Sequence, residues 1–260
     1  MAETELVQYG RRGAVAIVTL NRPEKLNSLT PAMLARLEEL IVLIDASPDV
    51  RAVVVTAAGP KAFCVGADIN EWSALEPLDM WRQWVPRGHR VFDRLAGLRV
   101  PVIAAINGHA FGGGLELAAA ADLRVTDPAA TFTLPEAGIA TCPGWSGTQR
   151  LVSIIGASKV KLLALTGQRI DTTRAAEIGL VDEVTAPGGA LDVALEMAAR
   201  IARLAPVSVQ LTKQLVNAAN GEGTAATLEA MAGALAATTA DAREGMLSFR
   251  ERRAANFEGK

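Results

Sequence analysis

The chain has 260 residues, of which 50% are hydrophobic and 21% charged, and its formal net charge is −2. This length is enough to bury a sizeable core in one large domain, or in a domain with a smaller appendage. The near-neutral charge gives no indication of nucleic-acid or anionic membrane binding, and no apolar run approaches the roughly 20 residues that a membrane helix needs.

The start of the chain and its cysteines indicate a cellular compartment. Residues 1–5 are acidic and lack the charged-then-apolar layout of a signal peptide. Cys64 and Cys142 would pair only by chance of geometry, so we expect reduced thiols and a cytoplasmic location. Two histidines and two distant cysteines give no metal-ligand spacing, so no metal site is expected.

The first half of the chain alternates predicted strands with helices. Thr30 and Pro31 mark a helix start, with a capping hydroxyl and a proline at the first helical position. An apolar stripe at helical spacing follows, formed by Leu34, Leu37, Ile41 and Ile44. The predicted strands are Ala14–Leu20, Val50–Thr56, Val102–Ile106 and Leu123–Thr126. This order predicts an α/β fold with a largely parallel sheet covered by helices.

The second half of the chain is mainly helical. One short strand is predicted at Leu180–Val184, and Pro187–Gly189 is a break. The predicted helices are Leu151–Ile155, Lys159–Leu165, Thr173–Ile178, Leu191–Leu204, Val207–Ala219, Leu228–Ala237 and Asp241–Ala255. The alanine-rich helices of the last 60 or so residues have broad apolar faces, which indicates burial against the main body or against another subunit.

The most informative segment is Asn107–Leu117, which directly follows the predicted strand Val102–Ile106. It predicts a turn at Gly112–Gly114 and then a helix, Leu115–Ala121, with Glu116 in its first turn. A helix start presents unpaired N–H groups that can hold an anion, and glycines let a ligand approach that backbone closely. The structural alternative is a tightly packed strand-to-helix connection, in which Glu116 only complements the helix dipole.

Two further segments have a similar glycine-rich, apolar character. Lys61–Ile69 is a loop of small residues just after a strand, and Thr133–Gly138 leads to Cys142–Gly144 and a helix near Trp145. Glu116 and Glu136 are the carboxylates nearest these surroundings. Two carboxyl groups in an apolar pocket can hold different protonation states, as acid and base catalysis requires.

At these residues the chain resembles the enoyl-CoA hydratase/isomerase (crotonase) family. The resemblance implies a spiral of ββα units over residues 1–200, with the active site, and a C-terminal helical trimerisation region over residues 201–260. It also implies a homotrimer or a dimer of trimers. The motifs that carry it extend over nearly the whole chain and are Asn21–Pro23, Leu26–Leu29, Ala62–Ile69, Asn107–Leu117, Pro135–Glu136, Pro143–Leu151 and Phe249–Phe257.

The resemblance assigns catalytic roles by position. Ala67 and Gly113 match the two backbone N–H donors of the family's oxyanion hole, which bind the thioester oxygen of an acyl-CoA. Glu116 matches the glutamate that activates water for attack at C3, and Glu136 matches the one that exchanges a proton with C2. Gly144 matches the position near the catalytic water. No separate cofactor is implied, because coenzyme A is part of the substrate.

Further substrate contacts are implied along the coenzyme A path. Asp68 and Ile69 are assigned to substrate binding, although Asp68 has the alternative of bracing the oxyanion loop. Lys25 and Leu26 lie where the family lines the coenzyme A path. Phe249 and Arg252 match C-terminal positions that meet adenine and phosphate, with a solvated helix end as the alternative for the arginine.

Trp145 is a departure from the family pattern. Many members have Pro-Gly-Ala-Gly-Gly where this chain has Pro-Gly-Trp-Ser-Gly at Pro143–Gly147. An indole thus replaces a small residue beside the expected water site. We predict that Trp145 narrows or reshapes the acyl pocket. Nearby Trp72, Trp81 and Trp84 suit either the acyl cover or the core.

The implied reaction is the reversible hydration of a trans-2-enoyl-CoA to a 3-hydroxyacyl-CoA. The presence of both glutamates favours hydration over double-bond isomerisation, which can operate with one carboxylate. A hydrolase or decarboxylase with the same oxyanion hole is a further alternative. A non-catalytic acyl-CoA-binding subunit is the alternative from another class, but such a protein would not need both glutamates.

Overall fold

The computed structural model describes residues 5–260, so most of the acidic start lies outside the described residues. Within this range the strands form a six-stranded and a four-stranded sheet. The strands are β1 (Val7–Arg12), β2 (Val15–Leu20), β3 (Ala52–Ala57), β4 (Ala62–Cys64), β5 (Val102–Ile106), β6 (His109–Phe111), β7 (Leu123–Thr126), β8 (Thr131–Thr133), β9 (Ile170–Asp171) and β10 (Glu183–Val184).

The helices follow the strand pairs and then dominate the rest of the chain. A π-helical turn, Met80–Trp84, directly precedes α4, and a 3₁₀ turn covers Glu136–Ile139. The helices are α1 (Pro31–Asp45), α2 (Ile69–Trp72), α3 (Pro77–Asp79), α4 (Val85–Ala96), α5 (Gly113–Ala119), α6 (Gly147–Ile155), α7 (Ala157–Thr166), α8 (Thr172–Glu177), α9 (Ala190–Ala202), α10 (Pro206–Ala219), α11 (Thr224–Ala237) and α12 (Ala240–Glu251).

The strand order shows a repeated unit. The larger sheet has the order β1-β2-β3-β5-β7-β10, and the smaller has the order β4-β6-β8-β9. In each of the pairs β3/β4, β5/β6 and β7/β8, the first strand joins the larger sheet and the second joins the smaller one. Each pair therefore adds one strand to each sheet and is followed in the chain by helices. This arrangement confirms the predicted α/β spiral of ββα units.

The centre of the larger sheet is buried on both faces, whereas the edge strands β1 and β10 are largely exposed. Its central strands β3 and β5 are buried along their whole length, as expected for parallel strands with cover on each side. One face packs against α9, where Val54 and Ile103 contact Leu195 and its neighbours. The other face contributes to the main core, which includes the fully buried Phe63, Phe92 and Phe132.

Several sequence predictions can be compared with the observed elements. The strands predicted at Val102–Ile106 and Leu123–Thr126 have the observed bounds. The hydroxyl of Thr30 caps α1 by accepting a hydrogen bond from the Met33 N–H at 3.2 Å. The predicted strand Leu180–Val184 is wrong in length. Only its last two residues pair with β7, because the preceding apolar residues pack into the core from a turn.

Contacts along the chain define two units, of which the first extends to Gln210 and the second comprises Leu211–Lys260. The first unit holds both sheets. The second consists of helical segments and leaves large apolar side chains exposed, among them Leu228, Leu235 and Phe249. Within residues 5–260, no helix combines the length and apolar character needed to cross a bilayer.

Candidate active site

The carboxyl ends of β4, β6 and β8 border a cavity of about 210 Å³. These three strands are adjacent and parallel, so the segments that follow them meet at one edge of the smaller sheet. The segments are the loop after Cys64, the first turn of α5 and the 3₁₀ turn that begins at Glu136. The residues just before α6, together with α2, the π-helical turn and the start of α4, complete the lining. The three glycine-rich segments identified in the sequence therefore come together.

The backbone N–H groups of Ala67 and Gly113 belong to residues that border this cavity. Leu29 forms a parallel bridge with Ala67. In it, the Leu29 N–H donates to the Gly66 carbonyl at 2.8 Å, and its carbonyl accepts from the Asp68 N–H at 2.9 Å. The Ala67 N–H is thus directed away from Leu29. Within residues 5–260, neither the Ala67 nor the Gly113 N–H donates a hydrogen bond.

Gly66 brings the loop and α5 into backbone contact. Its φ of +97° suits glycine, and a Cβ at this position would lie 3.1 Å from both the Gly113 nitrogen and the Phe111 carbonyl oxygen. Such a contact requires the absence of a side chain. The N–H of the next residue, Ala67, therefore lies beside the start of α5.

Glu116 lies in the first turn of α5 and is 2% exposed. Its Oε1 accepts hydrogen bonds from the backbone N–H groups of Trp145 at 2.9 Å and Gly147 at 3.0 Å. These donors lie at the start of α6, where unpaired N–H groups and the helix dipole favour a carboxylate. Burial raises the pKa of Glu116, and the backbone hydrogen bonds oppose that rise.

Glu136 is buried at the start of the 3₁₀ turn, with its carboxyl group over Gly112. A Cβ at Gly112 would lie 2.6 Å from the Glu136 Oε1, so this glycine makes room for the carboxyl group. Among the described residues, the buried Oε2 has no hydrogen-bond partner. Burial, with a smaller contribution from the charge of Glu116, raises the pKa of Glu136 to about 7. This group is poised to exchange a proton near neutral pH.

The segment Trp145–Gly147, whose backbone N–H groups bind Glu116, is held against α4 by hydrogen bonds. Ser146 lies in this segment with a φ of +69°, and its hydroxyl donates to Asp93 Oδ1 at 2.7 Å. Arg150 Nη2 donates to the same oxygen at 2.8 Å, and His89 Nε2 lies 3.1 Å from Oδ2. Although burial raises the pKa of Asp93, the bonds from Ser146 and Arg150 outweigh it and lower that pKa. Asp93 therefore anchors the first turn of α6.

Asp68 supports the loop that contains Gly66 and Ala67. Its Oδ2 accepts from Arg22 Nη1 at 2.6 Å, and its Oδ1 accepts from the Asn70 N–H at 2.9 Å, which caps α2. The hydrogen bond from Arg22 is the largest cause that lowers the pKa of Asp68. The carboxylate is 5% exposed and faces Arg22, so the geometry favours the bracing role. A direct contact with substrate stays a prediction.

Trp145 is a core residue and a cavity residue together. It is 3% exposed, and its ring centroid lies 5.3 Å from that of Trp84 and 5.4 Å from that of Phe92. It also borders the cavity, as do Trp84 and Trp72. Trp81 is 68% exposed and does not border it. Trp72 and Trp84 thus both pack on the core and line the cavity, whereas Trp81 does neither.

Of four other predicted binding residues, two border the cavity and two do not. Ile69 and Gly144 border it. Lys25 and Leu26 do not, although the Leu26 carbonyl accepts a hydrogen bond at 3.3 Å from Val65, which precedes the oxyanion loop. Their place on a coenzyme A path stays a prediction.

Phe249 and Arg252 lie in the second unit. Phe249 is 86% exposed on α12, and Arg252 ends this helix with a φ of +55°. Exposed apolar and cationic side chains suit an adenine and a phosphate, but these two assignments also stay predictions.

Two residues of the site were missed from the sequence. Ser146 occupies a position that is glycine in the Pro-Gly-Ala-Gly-Gly pattern, so the departure was visible beside that of Trp145. Asp93 gave no signal, since its contact with Ser146 bridges distant parts of the chain. Among residues 5–260, no group of three or more histidine, cysteine, aspartate or glutamate side chains is placed to hold a metal ion.

The family model for enoyl-CoA hydratase/isomerase matches residues 10–260. The chain is 39% identical over 245 residues to the short-chain-enoyl-CoA hydratase of Clostridium acetobutylicum, covering 94% of each chain. It is 36% identical over 250 residues to the crotonyl-CoA hydratase of Syntrophomonas wolfei, covering 95% of each. The crystal structure of an enoyl-CoA hydratase from Bacillus anthracis superposes with a TM-score of 0.82 at 34% identity, covering 98% of this chain and 100% of that one.

Proposed function

The chain belongs to the enoyl-CoA hydratase/isomerase family, and from this premise we propose that it reversibly adds water to a trans-2-enoyl-CoA. The product is a 3-hydroxyacyl-CoA. The similarity to proteins named as short-chain-enoyl-CoA and crotonyl-CoA hydratases supports this reaction. The observation that carries the proposal is the meeting of two free backbone N–H groups and two buried carboxyl groups at one cavity.

In this proposal the thioester oxygen accepts hydrogen bonds from Ala67 and Gly113. Addition of water at C3 moves negative charge onto that oxygen, and fixed N–H donors stabilise it without reorganisation. The dipole of α5, which begins at Gly113, adds to the same effect. The loss of one such donor typically costs about 10²–10³ in kcat.

The two glutamates divide the proton transfers. Glu116, held by the start of α6, accepts a proton from the water whose oxygen bonds to C3. Glu136, with its raised pKa, donates a proton to C2 as the enolate collapses. The water thus contributes a hydroxyl group to C3, and the enzyme's proton count is unchanged. No electrons leave the substrate, so the proposal includes no cofactor beyond the coenzyme A of the substrate.

A panel of enoyl-CoA esters tests the reaction. Loss of the conjugated thioester absorbance is followed for short, long, branched and aryl esters, with 3-enoyl-CoA isomerisation and thiol release measured in parallel. We expect hydration to exceed the other two activities. Faster isomerisation would favour the double-bond isomerase, thiol release would favour a hydrolase, and binding without turnover would favour the non-catalytic subunit.

The assembly, location and coenzyme A contacts belong to the same proposal. The exposed apolar side chains of α11 and α12 support burial in a homotrimer or dimer of trimers. Charge reversal of Arg252 is then expected to raise the Michaelis constant for coenzyme A esters more than it lowers kcat. A cytoplasmic location stays a prediction.

A further inference from the structure

Helix α4 carries a recess that holds the Trp145 indole. Trp84, Gly88 and Phe92 follow one another at intervals of four residues, so they lie on one face at the start and along the length of α4. The two aromatic rings contact the indole at tilted angles of 56° and 78°. Between them, Gly88 leaves open the space where a side chain would begin. We call these three residues the α4 recess.

Glycine is needed at position 88 because space is short there, and not because of the backbone conformation. Its φ is outside the left-handed region, and glycine inside a helix lowers stability relative to alanine. A Cβ at Gly88 would, however, collide with the indole atoms Nε1, Cε2 and Cδ1 of Trp145. The absent side chain therefore lets the indole pack directly against the helix backbone.

The opposite edge of the indole faces the oxyanion donor. A Cβ at Gly113 would lie 2.8 Å from both Cε3 and Cζ3 of Trp145. The indole is thus confined between α4 and the first turn of α5, while it also borders the cavity. Its own backbone N–H is fixed by Glu116. A displacement away from α4 would move the ring towards the reacting end of the cavity.

We infer that the Trp145 indole is the wall of the acyl cavity that determines specificity, because it restricts the cavity to short, straight enoyl chains. Gly88 sets the position of this wall, because a side chain at position 88 would push the indole towards the cavity. The inference rests on the proposed function. The indole borders the cavity and is packed against both α4 and α5, so it limits how far an acyl chain extends on that side.

The test is a chain-length profile of kcat/KM, measured with crotonyl-, hexenoyl-, octenoyl-, decenoyl- and hexadecenoyl-CoA. The proteins are wild type, Trp145→Ala, Gly88→Ala and the double variant. Trp145→Ala should raise the decenoyl-to-crotonyl ratio by about tenfold or more, since each methylene that gains room contributes a factor of this order. Gly88→Ala should lower the octenoyl-to-crotonyl ratio by about tenfold, because the displaced indole shortens the cavity.

The double variant tests whether Gly88 acts through the Trp145 indole. If Gly88 acts only through the indole, Gly88→Ala will leave the profile unchanged in the Trp145→Ala background. Gly233→Ala is the matched control, because it also changes a helical glycine but no atom lies within 4 Å of the new Cβ. It should leave the profile of the wild type intact.

Two results would overturn the inference while leaving the proposed function standing. One is a wild type that hydrates hexadecenoyl-CoA as well as crotonyl-CoA. The other is an unchanged profile in Trp145→Ala, or in the smaller change Trp145→Phe if the alanine variant does not fold. Absence of hydration with every ester would instead refute the proposed function, and the inference with it.

Discussion

Glu116 and Glu136 border one cavity and are both buried, but the regions that hold them differ. The region around Glu116 supplies two backbone N–H donors from the start of α6. The region around Glu136 supplies none to Oε2 among the described residues. The first carboxyl group is therefore compensated for the loss of water by two backbone donors, whereas one oxygen of the second is not compensated.

This difference supports the proposed roles of Glu136 as acid and Glu116 as base. Burial raises the pKa of both groups, and the backbone opposes that rise through Trp145, Gly147 and Gly144 at Glu116 but only through Glu136's own N–H at Glu136. In the proposed reaction Glu136 therefore carries the proton that is delivered to C2, and Glu116 is the base. Two identical side chains obtain different chemistry from the backbone that surrounds them.

The largest expected effect comes from removing either carboxyl group. Glu116→Gln and Glu136→Gln should each lower kcat for crotonyl-CoA hydration by about 10²–10⁴, the usual contribution of a positioned acid or base. The double variant should lose little more than the worse single variant, because the groups act as a unit. Glu196→Gln on the exposed face of α9 is the control. Wild-type turnover in Glu136→Gln would refute the catalytic assignment.

The uncompensated burial of Glu136 also predicts a stability effect. A pKa of about 7 in the folded state, against about 4.5 when exposed, means that the folded protein binds the proton more tightly. Its favourable contribution is complete below pH 4.5 and is lost as the pH rises through 7. Glu136→Gln mimics the protonated form, so it should raise the free energy of unfolding by up to about 3 kcal/mol above pH 8.

Urea unfolding at pH 5 and pH 8.5 measures this effect as a difference between variant and wild type. Glu196→Gln controls for the loss of an exposed carboxylate. A variant with the same small effect at both pH values would mean that Glu136 ionises in the folded protein as it does in water.

The sequence predicted the large sheet better than the small one. Strand β5 is an apolar run in a doubly covered sheet, and the bounds of β5 and β7 were predicted correctly. Strands β4, β6 and β8 have three residues each, which is too short to show a period of two. These short strands nevertheless bring the site together, so its assembly depends on tertiary pairing.

The same limit applies within the site. Glu116 and Glu136 were identified because each lies in a local motif. Helix α4, which contributes Asp93, contains Pro86 and Gly88, and both residues normally interrupt helical patterns. Pro86 is accommodated in the first turn of α4, and Gly88 is packed against an indole, but only the folded structure shows this.

The smallest expected effect tests whether the start of α6 must be held rigid for Glu116 to work. Ser146→Ala removes the hydroxyl that bonds to Asp93, and the looser donors should lower kcat by about tenfold, equivalent to about 1.4 kcal/mol for one hydrogen bond to a charged group. The Michaelis constant should stay unchanged. Ser153→Ala, on the exposed side of α6, is the control.

Ser146→Gly separates the hydrogen bond from the backbone conformation. Glycine accepts the φ of +69° more readily than serine or alanine, so it relieves strain while it removes the same hydroxyl. If the hydrogen bond positions the donors to Glu116, Ser146→Gly will be as impaired as Ser146→Ala, and Asp93→Asn, which keeps an acceptor, will be less so. If Ser146→Gly has the kcat of the wild type, the backbone conformation alone is enough to position the N–H groups that bind Glu116. Those hydrogen bonds then do not depend on α4.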